Sequence, residues 1–179
     1  MAVKSDFFGS DLRQALSRRA TLRTAVIALM LAGAAALGAC GVPAGPAVAQ
    51  ETRPLEDLTV VTATGRHAFK VEVMRKQEEL SRGLMYRRTM ARDHGMLFDF
   101  GEVRPVAMWM RNTYLPLDML FIDARGRVVN VAENTEPLSE ETIPSAAPVL
   151  SVLEVNAGTA RRIGLKAGDR VEHPLFAGK

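Results

Sequence analysis

Apolar and polar positions alternate along residues 67–73, where Phe69, Val71 and Val73 are separated by polar partners, the two-residue period of a strand with one wet face. Two further strand-like runs, 96–100 and 106–110, are broken at Gly101 and Pro105. Residues 111–113 are turn chemistry (Arg-Asn-Thr), and 117–123, a turn at 124–126 and 128–132 read as a hairpin by spacing. The stretch 134–148, with Pro137, Pro144 and Pro148, reads as loop, and 149–155 as another strand. A short helix is predicted over 77–88, with Glu78 and Glu79 in its first turn and Arg87 and Arg88 in its last, as the helix dipole favours. Gly83 inside it costs about 1 kcal/mol relative to Ala, which points to close packing there. Asn156 is placed to cap a second helix over 157–163 ended by Gly164, before a turn at 166–169 and a strand from Arg170. Six or seven short strands and two short helices predict a mainly β fold, a small barrel-like or rolled sheet in a single domain over 67–176.

The N-terminal stretch has a different pattern. Residues 25–49 carry no charge, and the apolar run 25–39 follows Arg13, Arg18, Arg19 and Arg23, the order of a secretory signal. A run of about 15 residues is shorter than the roughly 20 that span a bilayer. Residues 1–49 are therefore predicted to be an export signal and 50–66 a flexible tether. Two cleavage sites compete: 37–40 (Leu-Gly-Ala-Cys) has the form of a lipobox that would lipidate Cys40, and 47–49 (Ala-Val-Ala) suits an ordinary signal peptidase. Residues 17–23, with adjacent Arg18 and Arg19, also have the outline of a twin-arginine signal, although Thr21 departs from it. Either route predicts an exported, periplasmic protein, tied to the membrane only by its signal or by lipid on Cys40.

Charge changes meaning once the leader is set apart. The first 50 residues hold five basic and two acidic side chains of the chain's 23 and 20, leaving 18 of each. The basic excess thus belongs to the leader, and no nucleic-acid partner is implied for the domain. Cys40 is the only cysteine, so neither a disulfide nor a thiol nucleophile is available to the domain. No internal repeat and no glycine-rich phosphate loop is present.

At 82–87 (Arg-Gly-Leu-Met-Tyr-Arg), 95–98 (Gly-Met-Leu-Phe), 109–118 (Trp-Met-Arg-Asn-Thr-Tyr-Leu-Pro-Leu-Asp), 121–123 (Phe-Ile-Asp), 153–158 (Leu-Glu-Val-Asn-Ala-Gly) and 164–171 (Gly-Leu-Lys-Ala-Gly-Asp-Arg-Val) the chain closely resembles domain-of-unknown-function family 192, also called uncharacterised protein family 0127. The resemblance runs from about Phe69 to Val171, and its 109–118 block is highly specific. It implies a small, mainly β, barrel-like domain, often exported and often standing alone, and it brings no settled activity. Met108 stands where the family usually has Phe, an exchange of large apolar residues.

Among the polar residues Asp118 stands out, since Leu117, Met119, Leu120, Phe121 and Ile122 around it are apolar on both alternating faces. A carboxylate there must be bonded or paired, because unpaired burial costs several kcal/mol. One reading ties it to the 112–113 turn or to Arg82 or Arg87. The other makes Asp118, Asn112 and an arginine the polar rim of a pocket walled by Trp109. Glu154, flanked by Leu153 and Val155, is expected to bond loop backbone, or to form an acid–base pair with Asp118. Glu133 and Asn134 read as turn-formers. His67, His94 and His173 lack ligand spacing, and Met108 and Met110 read as core rather than as soft metal ligands. Serines 81, 139, 145 and 151 lack a nucleophile-elbow context. Neither metal nor cofactor is predicted. The expected function is a non-catalytic module binding a small molecule or an envelope protein, with Asp118, Asn112, Trp109, Arg82, Arg87 and Glu154 as candidate ligand-binding residues. The alternative is an envelope hydrolase or lyase working through Asp118.

Overall fold

The computed structural model describes residues 53–178; Cys40 and both expected cleavage sites lie outside them. In chain order the elements are β1 (Glu56–Thr62), β2 (Gly65–Met74), α1 (Gln77–Arg82), β3 (His94–Arg104), β4 (Ala107–Met108), β5 (Leu117–Ile122), β6 (Val128–Ala132), β7 (Ile143–Pro144), β8 (Val149–Asn156), α2 (Thr159–Ile163) and β9 (Arg170–Glu172), followed by a 3-10 turn at Pro174–Phe176. The fold is mainly β with two short helices, as the pattern predicts.

Seven strands form one curled sheet in the order β6-β5-β8-β3-β2-β1-β9, with β4 and β7 as a separate two-stranded ribbon. All pairings in the large sheet are antiparallel except β2–β3, whose connection carries α1. The sheet curls far enough for its two edges to meet at one end. Val171 N–H donates to the Gly126 carbonyl (2.7 Å), Val128 N–H to Asp169 O (2.9 Å) and Gly168 N–H to Val128 O (2.7 Å). These bonds turn the sheet into a half-barrel and satisfy backbone groups that an open edge would expose.

The concave side holds Leu58, Val60, Phe69, Val71, Leu97, Leu120, Ile122 and Leu153 among others, closed below by Ile163 of α2 and Phe176. The convex side of β3, β5 and β8 carries a second apolar layer, including Met96, Phe98, Met119, Phe121 and Val152, covered by Leu84 after α1 and by Val106 and Met110. Residues 95–98 of β3, all six residues of β5 and residues 149–155 of β8 are buried and have no wet face. That explains their near-continuous apolar sequence.

Several expectations need correction. Residues 56–62, placed in the flexible tether, form β1, which pairs with β2 on one side and β9 on the other. The prolines upstream obscured the alternation by which Leu58 and Val60 enter the core. The helix predicted over 77–88 stops at Arg82, because Gly83 takes a positive φ of 46° against the ring of Phe98, where a Cβ would lie 2.9 Å from Cζ. The strand predicted over 106–110 shrinks to Ala107–Met108, and Pro144 within the predicted loop lies opposite Ala107 in the ribbon. Asn156 does not cap α2. Its side chain donates to the carbonyls of Met90 and Ala91 (3.3 and 2.9 Å), and Gly158, at φ 79°, starts the helix.

The edge closure supplies a test. Gly126 has φ +77° and its Cα faces the Val171 carbonyl so closely that a Cβ would overlap it, whereas Gly101, at φ +75°, faces open space. Gly101→Ala is expected to cost about 1 kcal/mol for the left-handed backbone alone. Gly126→Ala adds a steric clash and is expected to cost about 3 kcal/mol or more, read as the difference in urea unfolding midpoints.

Candidate functional site

Asp118 and Glu154 are the two carboxylates buried inside the central strands, and strand register sends them to opposite faces. Asp118 lies opposite Val155, and Glu154 opposite Met119 and Met96. Asp118 therefore points to the concave side and Glu154 into the convex layer with Met96 and Met119. The sheet separates them, so the acid–base pair considered from sequence is not formed.

Asp118 is fully buried. Its Oδ1 accepts from the backbone N–H of Asn134 (2.8 Å) and its Oδ2 from that of Ala160 (2.7 Å). Neither the 112–113 turn nor an arginine supplies these bonds. Arg87 is engaged in a bidentate ion pair with Glu72, and Arg82 sits on the convex side beside Glu154. The Asp118 carboxylate ties the 134 turn to the start of α2. Asn134 is held there at φ +50°, a left-handed conformation that Asn tolerates. Next to it the Thr135 hydroxyl lies 3.0 Å from the Leu117 carbonyl and 3.2 Å from the Met110 sulfur.

On the convex face a narrow cleft opens between the α1 end and the 108–113 segment. It is lined by Leu80, Arg82, Gly83, Leu84, Met85, Phe98, Met108, Trp109, Thr113 and Glu154, and the centre of a water-sized sphere has about 30 Å³ in which to move. Its rim is unusual for a surface. Of the six large apolar side chains exposed among the described residues, four belong to the segments around the cleft: Tyr86, Trp109, Tyr114 and Leu138. The Arg111 guanidinium stacks 4.2 Å above the Trp109 ring and that of Arg88 4.7 Å from the Tyr114 ring, cation–π contacts that stiffen the exposed aromatics.

The backbone beneath that rim is strained. Tyr86, Asn112 and Leu138 have φ of +65°, +56° and +64°, a region that costs a residue with a Cβ roughly 1–2 kcal/mol. They are braced against one segment: Tyr86 N–H donates to Asn112 O (2.9 Å) and Leu138 N–H to Thr113 O (3.1 Å). The Asn112 amide nitrogen lies 3.9 Å from the Met85 sulfur, closing the same corner. Two separate chain segments, at 85–86 and at 138, thus converge on the 109–114 turn.

Glu154 is 4% exposed, and no described residue forms a hydrogen bond or ion pair with its carboxyl group. The loop backbone expected to bond it does not do so. Burial alone pushes its pKa from 4.5 up to about 8, since desolvation disfavours the charged form. Of the candidate residues, the structure brings Trp109, Arg82 and Glu154 together at the cleft with Asn112 bracing it, and places Asp118 and Arg87 elsewhere. Met108 in the lining, and Tyr86, Arg111, Tyr114 and Leu138 on the adjoining segments, are residues that sequence reasoning did not connect with the cleft. Tyr86 and Tyr114 beside arginines were a usable signal; the positive φ of Leu138 was not.

A wider depression of about 510 Å³ is lined by Arg66, His67, Phe69, Arg92, Asp93 and Arg162. Arg66 there is already engaged with Glu172 (3.2 and 2.5 Å), and no uncompensated buried group faces this surface.

Two substitutions separate the carboxylates. Asp118→Asn offers an amide nitrogen to one of two backbone N–H donors, so it is expected to cost about 3 kcal/mol, measured by urea unfolding, with Trp109 fluorescence of the folded state unchanged. For Glu154, the native group keeps its proton up to about pH 8 while the unfolded one releases it near 4.5. The native state therefore binds more protons between these values. Stability is full below pH 4.5 and declines as pH rises to about 8, by about 5 kcal/mol in total. Glu154→Gln is expected to flatten this slope and to exceed the wild type in stability at pH 8.

The architecture and the motifs at the cleft agree with comparisons to other proteins. The DUF192 profile, described as an uncharacterized ACR, matches residues 59–173. A solved structure from Sinorhizobium meliloti 1021, named as a candidate transcription regulator, is 53% identical, covers 68% of this chain and 95% of its own, and superposes with a TM-score of 0.66. A protein of unknown function from Novosphingobium aromaticivorans DSM 12444 is 41% identical over 66% of this chain and 85% of its own, with a TM-score of 0.65. No curated protein matches the chain. A profile match across nearly all of the described domain places this chain in the DUF192 family.

Proposed function

We propose that the protein is an exported envelope module that binds a small ligand or a segment of a partner protein through the Trp109 cleft, without catalysis of its own. The observation that carries this reading is the strained, aromatic rim. Exposed Tyr86 and Leu138 are held at positive φ by backbone bonds to the 112–113 turn, beside exposed Trp109 and Tyr114. Large apolar side chains held rigidly in water lose little conformational entropy when something docks on them, the property that enriches Tyr and Trp at binding surfaces. Strain of this kind persists where the surrounding structure over-determines it and clusters at ligand clamps and active sites. Asp118, with both oxygens bonded to backbone amides, lends no support to hydrolase or lyase chemistry. The regulator description of the Sinorhizobium relative finds no counterpart in the charge here, since the chain after residue 50 has equal numbers of acidic and basic residues. Export rests on the leader pattern, and lipidation of Cys40 would tether the cleft to a membrane surface.

Native mass spectrometry of the protein taken from its own host's envelope tests both parts. The expected spectrum shows an added mass on the folded wild type that Trp109→Ala lacks, together with an N-terminus at Cys40 bearing lipid or at Gln50. A bare mass, combined with no cross-link from a photoreactive residue at position 114, would remove the binding reading. An unprocessed Met1 terminus would remove the export reading.

A further inference from the structure

We infer that the Glu154 cleft is a receptor for a primary alkylammonium group, with the ammonium head on the Glu154 carboxylate and the methylene stem along the apolar walls. This deepens the binding reading above and rests on it.

Glu154 is the one acidic group lining the cleft, whose other polar residues are Ser81, Arg82 and Thr113. Glu154 is 96% buried by its 4% exposure and is unpartnered among the described residues, and an orphaned buried carboxyl is a costly feature to retain. Register directs it into the cleft, since the side chains across from it, Met96 and Met119, share the convex layer with Leu84 and Phe98. The remaining walls are the side chains of Leu80, Leu84, Met85, Phe98, Met108 and Trp109. Apolar walls beside one unpaired acid are complementary to an apolar stem ending in one cation. About 30 Å³ of accessible space falls far below the several hundred Å³ that hold ring systems or nucleotides. Its narrowness also favours a compact ammonium over a planar guanidinium.

Charges facing Glu154 are few. From α1 comes Arg82, which lines the cleft, is exposed, and forms no ion pair with Glu154. From β3 and β5 come Met96 and Met119, and from the 108–113 segment Met108, Trp109 and Thr113, none of them charged. An incoming ammonium therefore meets no internal competitor bonded to its site. With Glu154 protonated up to about pH 8, docking a cation at pH 7 drives one proton off the carboxyl, and the ligand's own ammonium stays charged until about pH 10.

The chain has one tryptophan, and it lines the cleft, so its fluorescence reports the site directly. n-Butylammonium chloride and the blocked lysine Nα-acetyl-lysine N-methylamide are titrated into the wild-type protein, with n-butanol as the uncharged control. The expected result is saturable quenching or shift by both amines and none by butanol. Affinity should rise about tenfold per pH unit from pH 6 to pH 8 and level off above. Tighter binding of the blocked lysine identifies a partner's lysine side chain as the source, and tighter binding of butylammonium a free amine. Glu154→Gln should abolish the response. Calorimetry in buffers of different ionisation enthalpy should show close to one proton released per amine bound at pH 7, a readout that needs no variant. Equal response to butanol, affinity that falls as pH rises from 6 to 8, no proton release, or an unchanged response in folded Glu154→Gln would each overturn the inference. An envelope-derived added mass lost in Trp109→Ala but without amine binding would overturn the inference and leave the binding reading standing.

Discussion

Burial of β5, β8 and the first half of β3 on both faces is the constraint from which the rest follows. A half-barrel needs only its concave side covered, and Leu58, Val71, Leu120 and Leu153 supply that core. Here the convex side is apolar too, so the chain must spend its 83–93, 105–116 and 133–148 segments covering Met96, Phe98, Met119 and Phe121. Those covering segments contain little regular structure, with β4 and β7 only two residues each. Their backbone groups are therefore satisfied by irregular bonds, such as Met110 N–H to Ser139 O and Thr135 N–H to Leu117 O. The cleft is the seam where the α1 end and the 108–113 segment meet over the sheet.

Asp118 works on this seam from the opposite side. Its two backbone bonds fix Asn134 and the start of α2; Thr135 next to Asn134 bonds Leu117 and approaches Met110, and the same loop runs on to Leu138, which is bonded to Thr113. The fully buried Asp118 side chain is satisfied by these two donated backbone N–H groups. Glu154 receives no such donors. Two carboxylates on neighbouring central strands thus have opposite characters because register sends one to a polar turn and the other to an apolar seam.

Alternation and turn chemistry made most of the sheet legible: β2, β5, β6 and β8 and the hairpin at 123–128 follow from period-two patterns and Gly126. β1 was missed because prolines at 43–54 set the composition of its neighbourhood, although Leu58 and Val60 carry the right period. Trp109 of the 109–118 motif and Glu154 were legible as candidates, and both line the cleft. The sidedness of Asp118 was not, since it depends on pairing Asp118 with Val155 rather than with Glu154, a one-residue difference of register that no local pattern encodes. The strained rim was equally hidden, because Tyr86 and Leu138 adopt positive φ through bonds to a segment distant in sequence.

The contrast between the two carboxylates also says why the seam is not simply filled. Met96 and Met119 flank Glu154 on β3 and β5, and a third apolar side chain in its place would complete the convex layer without a desolvation cost. Gly83, with a φ open to few other residues and its Cα against Phe98, brings the backbone after α1 down to the sheet, where a residue with a Cβ would hold it away. The acid and the glycine therefore act on the same cleft: one leaves an unpartnered carboxyl group in its lining, and the other brings the backbone after α1 close to Phe98.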